Sequence, residues 1–495
     1  MFSIGYDIGS SFVKAAIVDV AKGTVVAAAS YPDKEMVIHT PVRGWAEQDP
    51  ETWWNAVVQV TRIAASRAAI PLTEIRSIGI SYQMHGLVLV DREGRILRPS
   101  IIWCDSRATE IGREAFSALG ESTCLREMLN SPGNFTASKL RWVKEHEPAI
   151  YARADKMLLP GDYIALRLTG ECRTTASGLS EGILWNFPEN TVAENVLQHY
   201  QLRNDLVPEL VPSIGLQGTL TKKTARDLGL KEGTPVAYRA GDQPNNALSL
   251  NVLEPGEIAA TAGTSGVVYA VNGTLDCDPQ SRINAFAHVN HSPLAPRVGI
   301  LLCINGTGIS NSWIRKLVGD SQLTYDTING LAAGAPIGSK GLSVFPFGNG
   351  AERMLGDRDI RAALQRINFN VHGKPEVLRA VQEGVAFAFA YGIEIMQSIG
   401  LKPNVLRAGS ANMFLSPVFC QTLASTAGIT IELYNTDGAQ GAARAAAVGA
   451  GLVPTLRDAF KGLNRIGTVE PDTKQGAYRE VYMEWREQLE QLLHR

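Results

Sequence analysis

The ten residues Ile8-Gly9-Ser10-Ser11-Phe12-Val13-Lys14-Ala15-Ala16-Ile17 align without gaps on Ala262-Gly263-Thr264-Ser265-Gly266-Val267-Val268-Tyr269-Ala270-Val271. Each copy is a small, hydroxyl-bearing turn between apolar runs, and each opens a half-chain with strand, turn and strand. Internal similarity between the two halves of a chain points to duplicated units, so two similar domains are expected. The length agrees, since 495 residues exceed one ordinary core and 45% apolar content is ample for two.

Within the first half, the runs Phe2 to Ile8, Val13 to Val20 and Thr24 to Ala29 read as strands, with Ala21-Lys22-Gly23 as a hairpin turn. Asp49-Pro50-Glu51 starts a helix, Asp as N-cap and Pro in the first turn, whose apolar positions include Trp54, Val57, Val58 and Thr61. Ile75 to Ile80 returns to strand and leads into Tyr82-Gln83-Met84-His85-Gly86. Hairpins mixed with helices predict an α/β domain on a mixed sheet. Residues 108 to 215 read as mainly helical, with Thr174-Thr175-Ala176-Ser177-Gly178 as loop at a cleft. In the second half, Glu376 to Ile399 and the Ala-rich run Ala439 to Val448 predict helices. A terminal helix carries Tyr478, Val481, Trp485, Leu489 and Leu492 on one face, which must pack on something.

A net charge of -2 leaves no electrostatic footprint for nucleic acid or an anionic membrane. No stretch is long and apolar enough to span a bilayer, the N-terminal residues lack a secretory pattern, and the six cysteines include no Cys-x-x-Cys pair. A cytoplasmic protein with a small-molecule partner is the expectation. Three glycine-and-hydroxyl turns, at Gly9-Ser10-Ser11, Gly263-Thr264-Ser265 and Gly409-Ser410, each follow a strand. Exposed backbone N-H groups and hydroxyls in such turns suit a polyphosphate without a basic cluster. Neither a P-loop nor a dinucleotide fingerprint is present. Asp7 closes the first strand beside the first turn, where a carboxylate can hold Mg2+ or satisfy local backbone. Tyr238 to Ala247 reads as a strand-to-loop junction bearing one carboxylate, Asp242, either a turn residue or a catalytic group. His85 is either a core histidine or a donor to a polar ligand, and His288 and His291 lack a third metal ligand at usable spacing, so they read as structural.

Taken in order, Asp7-Ile8-Gly9-Ser10-Ser11, Trp45-Ala46-Glu47-Gln48-Asp49-Pro50, Gln83-Met84-His85-Gly86, Trp103-Cys104-Asp105-Ser106-Arg107, Leu158 to Tyr163, Ala240-Gly241-Asp242, Ala262 to Gly266 and Asp437 to Ala443 resemble the FGGY carbohydrate kinases. Gln83-Met84-His85-Gly86 is most similar to the xylulokinase branch. The resemblance implies two ribonuclease H-like α/β domains of the actin, hexokinase and heat-shock-chaperone superfamily flanking a catalytic cleft. Residues 1–246 would carry the sugar site and 247–470 the nucleotide site, with the helix in 471–495 packed on the body. It implies ATP and Mg2+ as cofactors, phosphorylation of the terminal hydroxyl of D-xylulose, and a homodimer. Asp242 would be the base, and Asp7 with Asp242 would hold the metal. Gln83, Met84, His85, Asp105 and Gln243 would meet the sugar. Gly9, Ser10, Ser11, Gly263, Thr264, Ser265, Gly308, Gly409, Ser410 and Asn412 would meet ATP, with Gly263, Thr264 and Gly308 toward the phosphates and Gly409 and Asn412 at the adenosine. Departures are Gln243-Pro244 after the presumed base, Asn412-Met413 in place of a basic residue, and a loose Gly350-Ala351-Glu352-Arg353-Met354 segment. A kinase for ribulose or glycerol is the nearest alternative, and an ATP-binding sensor without phosphotransfer the next.

Overall fold

The computed structural model describes residues 1–319 and 323–494. The first half builds β1 (Phe2–Ile8), β2 (Val13–Asp19), β3 (Thr24–Tyr31), α1 (Pro50–Ala68), β4 (Ile75–Tyr82), α2 (Thr136–His146), α3 (Pro160–Thr169), α4 (Ala176–Glu181), β5 (Ile214–Thr219), β6 (Pro235–Gly241) and α5 (Asp242–Ser249). The second builds β7 (Ile258–Ala262), β8 (Gly266–Asn272), β9 (Asn284–Ala287), β10 (Val298–Ile304), α6 (Gly308–Val318), α7 (Lys374–Ser398), β11 (Val405–Gly409), α8 (Pro417–Ala427), β12 (Thr430–Tyr434), α9 (Gly438–Gly449), β13 (Arg465–Val469) and α10 (Gln475–Leu493).

Two mixed sheets form, in the orders β5-β6-β4-β1-β2-β3 and β9-β10-β8-β7-β11-β12-β13. In each, three strands run as an antiparallel meander, β1-β2-β3 and β7-β8-β10. A parallel strand then joins the first of the three, β4 on β1 and β11 on β7. A second parallel strand follows, β6 on β4 and β12 on β11. The aligned segments are the β1-β2 and β7-β8 hairpins: Ile8 and Ala262 end the first strands and pair with Val13 and Gly266. Two copies of one sheet plan thus surround the cleft, with the additional edge strands β5, β9 and β13 antiparallel to their neighbours.

The halves exchange elements. Helix α9, late in the chain, lies along β1, β4, β6 and β2 of the first sheet and crosses α5, which in turn touches β7 and β8. The line after residue 246 falls inside α5. Close approach explains the composition of α9: a Cβ at Gly5 would stand 2.0 Å from the Ala439 carbonyl oxygen, and one at Gly79 2.1 Å from that of Ala442. Gly5 and Gly79 are register partners on β1 and β4, so a paired glycine seam meets an alanine face. Ser3 Oγ donates to the Ala443 carbonyl at 2.7 Å across the same contact.

Thr174 to Gly178 is not a loop. Arg173–Thr174 pairs as a strand and α4 follows, because Thr175 caps it by accepting the Gly178 N-H at 3.0 Å. Helix α10 buries Tyr478, Tyr482, Trp485 and Leu489. Trp485 stacks on Phe345 at 5.1 Å and donates from Nε1 to the Val344 carbonyl. Among the described residues no helix is long and apolar enough to cross a membrane, and all six cysteines are free thiols.

Candidate active site

Strand β6 ends at Gly241 and α5 begins on the next residue, so Asp242 is the first helical residue rather than part of a loop. Pro244 fits because the first turn of a helix needs no N-H from it. Burial, then the nearby charge of Asp7, pushes the Asp242 carboxyl up to about 7, partly offset by hydrogen bonding from Gln243. Asp7 lies opposite Lys14 on β2 and Ser81 on β4. Its Oδ1 accepts from Ser81 Oγ at 2.8 Å. Burial raises it, Lys14 and Ser81 pull the other way, and Asp437 adds to the rise. Burial resists ionisation of both carboxyls, and the charge of Asp7 adds to it at Asp242, a pairing that a divalent cation would neutralise. The described residues contain no cluster of three His, Cys, Asp or Glu side chains. A site of two carboxylates completed by water and phosphate oxygens fits Mg2+.

One cavity opens at Asp7 and a second adjoins it. One of about 230 Å³ is lined by Asp7, Lys14, Thr261, Asn412 and Asp437. The other, about 410 Å³, is lined by Gly263, Thr264, Gly308, Asn311, Tyr325 and Asn412. Ala262 and Asn412 belong to both, so an elongated ligand can extend from Asp7 to α6. Not every expected phosphate group is available. The Gly308 N-H donates to the Gly263 carbonyl at 2.9 Å, Ile309 N-H to Thr264 at 3.1 Å, and Ser410 N-H to Tyr434 at 2.9 Å. These bonds dock α6 on the second turn and β11 on β12. Gly308 is therefore required for contact, since a Cβ there would stand 2.3 Å from the Gly263 oxygen. Gly9 N-H closes its own turn on Phe12. No described group accepts from the N-H of Ser10, Ser11, Thr264 or Ser265, and these remain for an anion. Ser10 Oγ accepts instead from Trp103 Nε1 at 3.3 Å.

On the other wall, Gln83 is buried with neither amide atom partnered among the described residues. Buried amide groups left unpaired cost roughly 1–3 kcal/mol each, so the Gln83 amide has both a donor and an acceptor to offer a polar ligand. Met84 packs on the backbone of Gly241, where a Cβ would stand 2.5 Å from its Cγ. His85 takes a left-handed conformation, φ 61°. Its ring lies against Phe135 and Phe286, at 4.7 and 5.4 Å. A carbonyl has no proton, so the 2.9 Å contact of Nδ1 with the Glu181 main-chain oxygen is an Nδ1-H donor. Burial, followed by the Lys139 charge, pushes the ring down to about 3. His85 is neutral, and its Nε2 offers a lone pair. The expected donor is an acceptor.

Asp105 leaves no oxygen for a sugar. It accepts from the Ala46 N-H at 2.6 Å and from Arg107 Nε and Nη2 at 3.0 and 2.7 Å. Arg107 reaches Glu47 at 2.8 Å and lies 3.9 Å over the Trp45 ring, so Asp105 ties two wall segments together. Two residues of this wall escaped sequence reasoning. Lys139 on α2 is wholly buried and donates to the main-chain oxygens of His85 and Ile102 at 2.8 and 3.0 Å. Glu181 ends α4 with Oε2 only 2.6 Å from where a Gly241 Cβ would stand, and burial raises its carboxyl well above the usual range. A lysine in an amphipathic pattern reads as solvent-facing, and a single Glu among small residues carries no signal. His288 is structural as expected: Nδ1 meets Tyr269 Oη at 2.9 Å and Nε2 the Val252 carbonyl at 3.1 Å.

The N-terminal domain of the FGGY family of carbohydrate kinases matches residues 2–249, and its C-terminal domain matches residues 258–450. The chain belongs to the FGGY family of carbohydrate kinases. This FGGY kinase is 30% identical to a xylulose kinase of Escherichia coli (strain K12), covering 99% of each chain. The solved xylulose kinase from Rhodospirillum rubrum superposes on it with a TM-score of 0.89 at 26% identity, over 100% of both chains. A gluconate kinase from Lactobacillus acidophilus has a TM-score of 0.90 at 23% identity over 99% and 98% of the chains, a likeness of fold alone. Sugar kinases of this family use ATP, commonly with Mg2+.

Proposed function

We propose that this FGGY kinase transfers the γ-phosphoryl group of ATP to the terminal hydroxyl of D-xylulose, giving D-xylulose 5-phosphate and ADP. The observation that carries the reading is Asp242, a carboxyl poised near neutrality at the head of α5 beside Asp7 and directly behind Gly241 and Met84. A group of that acidity accepts a hydroxyl proton at neutral pH and can release it again. Two xylulose kinases, one similar over nearly the full chain and one of known structure, favour that sugar over other ketoses and polyols.

In this arrangement Asp242 orients the attacking hydroxyl and takes its proton. His85 Nε2 accepts from a second sugar hydroxyl, the Gln83 amide donates and accepts once more, and Met84 packs against the carbon chain. Gln243 steadies the base. The N-H groups of Ser10, Ser11, Thr264 and Ser265 hold phosphate oxygens from the two hairpins, with Asn412 further along the nucleotide. Asp7 and Asp242 would hold Mg2+, which when bound would spread the charge of the phosphates. Positioning and fixed dipoles then supply most of the acceleration, and approach of the two sheets on bound sugar keeps water from replacing the hydroxyl.

The test is a coupled ADP-release assay over D-xylulose, D-ribulose, gluconate and glycerol, with Asp242→Asn alongside. The expected result is release that depends on added sugar and has its highest kcat/KM with D-xylulose. Asp242→Asn should lose about 10²–10⁴-fold in kcat while still binding sugar by calorimetry. Release indifferent to sugar would end the kinase assignment for this cleft, and a higher kcat/KM with another acceptor would replace xylulose.

A further inference from the structure

The cavity beside α6 contains a polar group that the protein leaves unanswered. Asn311, 5% exposed, lines that cavity, and its buried Oδ1 has no partner among the described residues. Three residues after Gly308, it lies on the same helical face as the glycine that docks on the Gly263-Thr264 turn, about 4.5 Å further along the axis. An orphan acceptor needs a donor. The phosphates of a nucleotide bring only acceptors, so a ligand whose phosphates rest on the hairpin turns must meet Asn311 with its next portion. One step from the phosphates, that portion is the ribose.

We infer that Asn311 Oδ1 accepts a hydrogen bond from a ribose hydroxyl of the bound nucleotide, so that this kinase discriminates ribonucleoside from deoxyribonucleoside triphosphates. The inference rests on the reading of this cavity as the nucleotide site. The facing wall supports a division of labour. Ser416 Oγ donates to Gln382 Oε1 at 2.6 Å, and Gln382 Nε2 donates to Asn329 Oδ1 at 3.0 Å. That relay leaves the Asn329 amide N-H groups for a ligand acceptor, which a purine ring nitrogen supplies, while the acceptor on Asn311 remains for a hydroxyl. Apolar atoms of Met413, Leu415 and Tyr325 complete the cavity, as expected for a site that sandwiches a base between a few fixed polar groups.

The test measures dissociation constants by titration calorimetry, without sugar, for ATP, 2′-deoxy-ATP, 3′-deoxy-ATP and the triphosphate of purine riboside, which lacks the 6-amino group. Wild type is compared with Asn311→Leu and Asn311→Ala, both checked for an unchanged far-UV spectrum and unfolding midpoint. Wild type should bind ATP about 10-fold more tightly than at least one deoxy analogue, the loss expected for one hydrogen bond. Both variants should bind ATP as weakly as wild type binds that analogue, with the preference gone. Equal wild-type affinity for ATP and both deoxy analogues overturns the inference, as does a preference that survives in both variants. A loss confined to the purine riboside analogue and abolished by the substitutions moves the contact to the base and refutes the ribose assignment. If wild type binds none of the triphosphates, the nucleotide reading of the cavity falls first and takes this inference with it.

Discussion

Lys139 and Glu352 show how far burial departs from surface intuition in this protein. Lys139 pairs with no carboxylate among the described residues. Its ammonium is spent on the His85 and Ile102 carbonyls, and burial lowers it to about 8. Lys139→Met would leave the His85 carbonyl unanswered, at roughly 1–3 kcal/mol, while the Ile102 carbonyl keeps the Asp105 N-H at 3.2 Å. It would also free the left-handed His85 segment, so the expected outcome is a lower unfolding midpoint and a raised KM for sugar with a smaller change in kcat. An unaltered KM would show that the clamp does not reach the sugar. Glu352 is fully buried and accepts from the Asn305 N-H at 2.9 Å. Burial raises it from 4.5 to about 8, against the pull of that bond. Because the folded state holds this proton more tightly than the unfolded chain, its contribution to stability is complete below about 4.5 and declines as pH rises toward 8. Glu352→Gln should therefore flatten the fall in midpoint across that interval and be relatively most stabilising at its alkaline end. An equally steep profile in the variant would assign the slope elsewhere.

Among elements, α9 is the one whose identity and whose place separate. Its alanine run marks a helix in the sequence, but a hydrophobic face does not name the sheet it packs on, and proximity along the chain suggests the second. The signal was on the partner side, in the glycines of β1 and β4, since glycine inside a strand marks close approach of another backbone. Gly79→Ala tests the seam directly. The added methyl would meet the Ala442 carbonyl, part of a helix pinned also at Ser3 and Ala443, and cannot be relieved by a rotamer change. A loss at the upper end of, or above, the roughly 1–3 kcal/mol typical of overpacking is expected, read from denaturant midpoints. A neutral result would mean that α9 can lift from the sheet. Elsewhere legibility followed local chemistry. The β1-β2 and β7-β8 hairpins and the α1 cap were plain from turn and cap residues, whereas α4 hid behind small polar residues whose role as a capped, buried turn depends on tertiary neighbours. In the site, Asp242 and Asp7 were legible as carboxylates at strand ends, while any role for them rested on the family resemblance. Lys139, Glu181 and Asn311 were not, because their roles arise from what surrounds them.

At the scale of the whole molecule, the exchange of α9 and α5 decides how the two sheets can come apart. A chain of two independent domains would unfold in two steps. Here the first sheet lacks the cover of one face until residues 438–449 arrive from the far end of the chain, and α5 carries Asp242 while touching the second sheet. Loss of either sheet therefore removes a packing partner from the other, which is the condition for a single cooperative transition. Hydrogen exchange followed by mass spectrometry in rising denaturant should show Phe2–Ile8 and Ile258–Ala262 losing protection at the same midpoint. Gly79→Ala, in the first sheet, should lower the protection of Ile258–Ala262 by the same free energy as that of Phe2–Ile8. Separate midpoints, or a second sheet indifferent to Gly79→Ala, would show that α9 is a detachable bridge rather than a shared core.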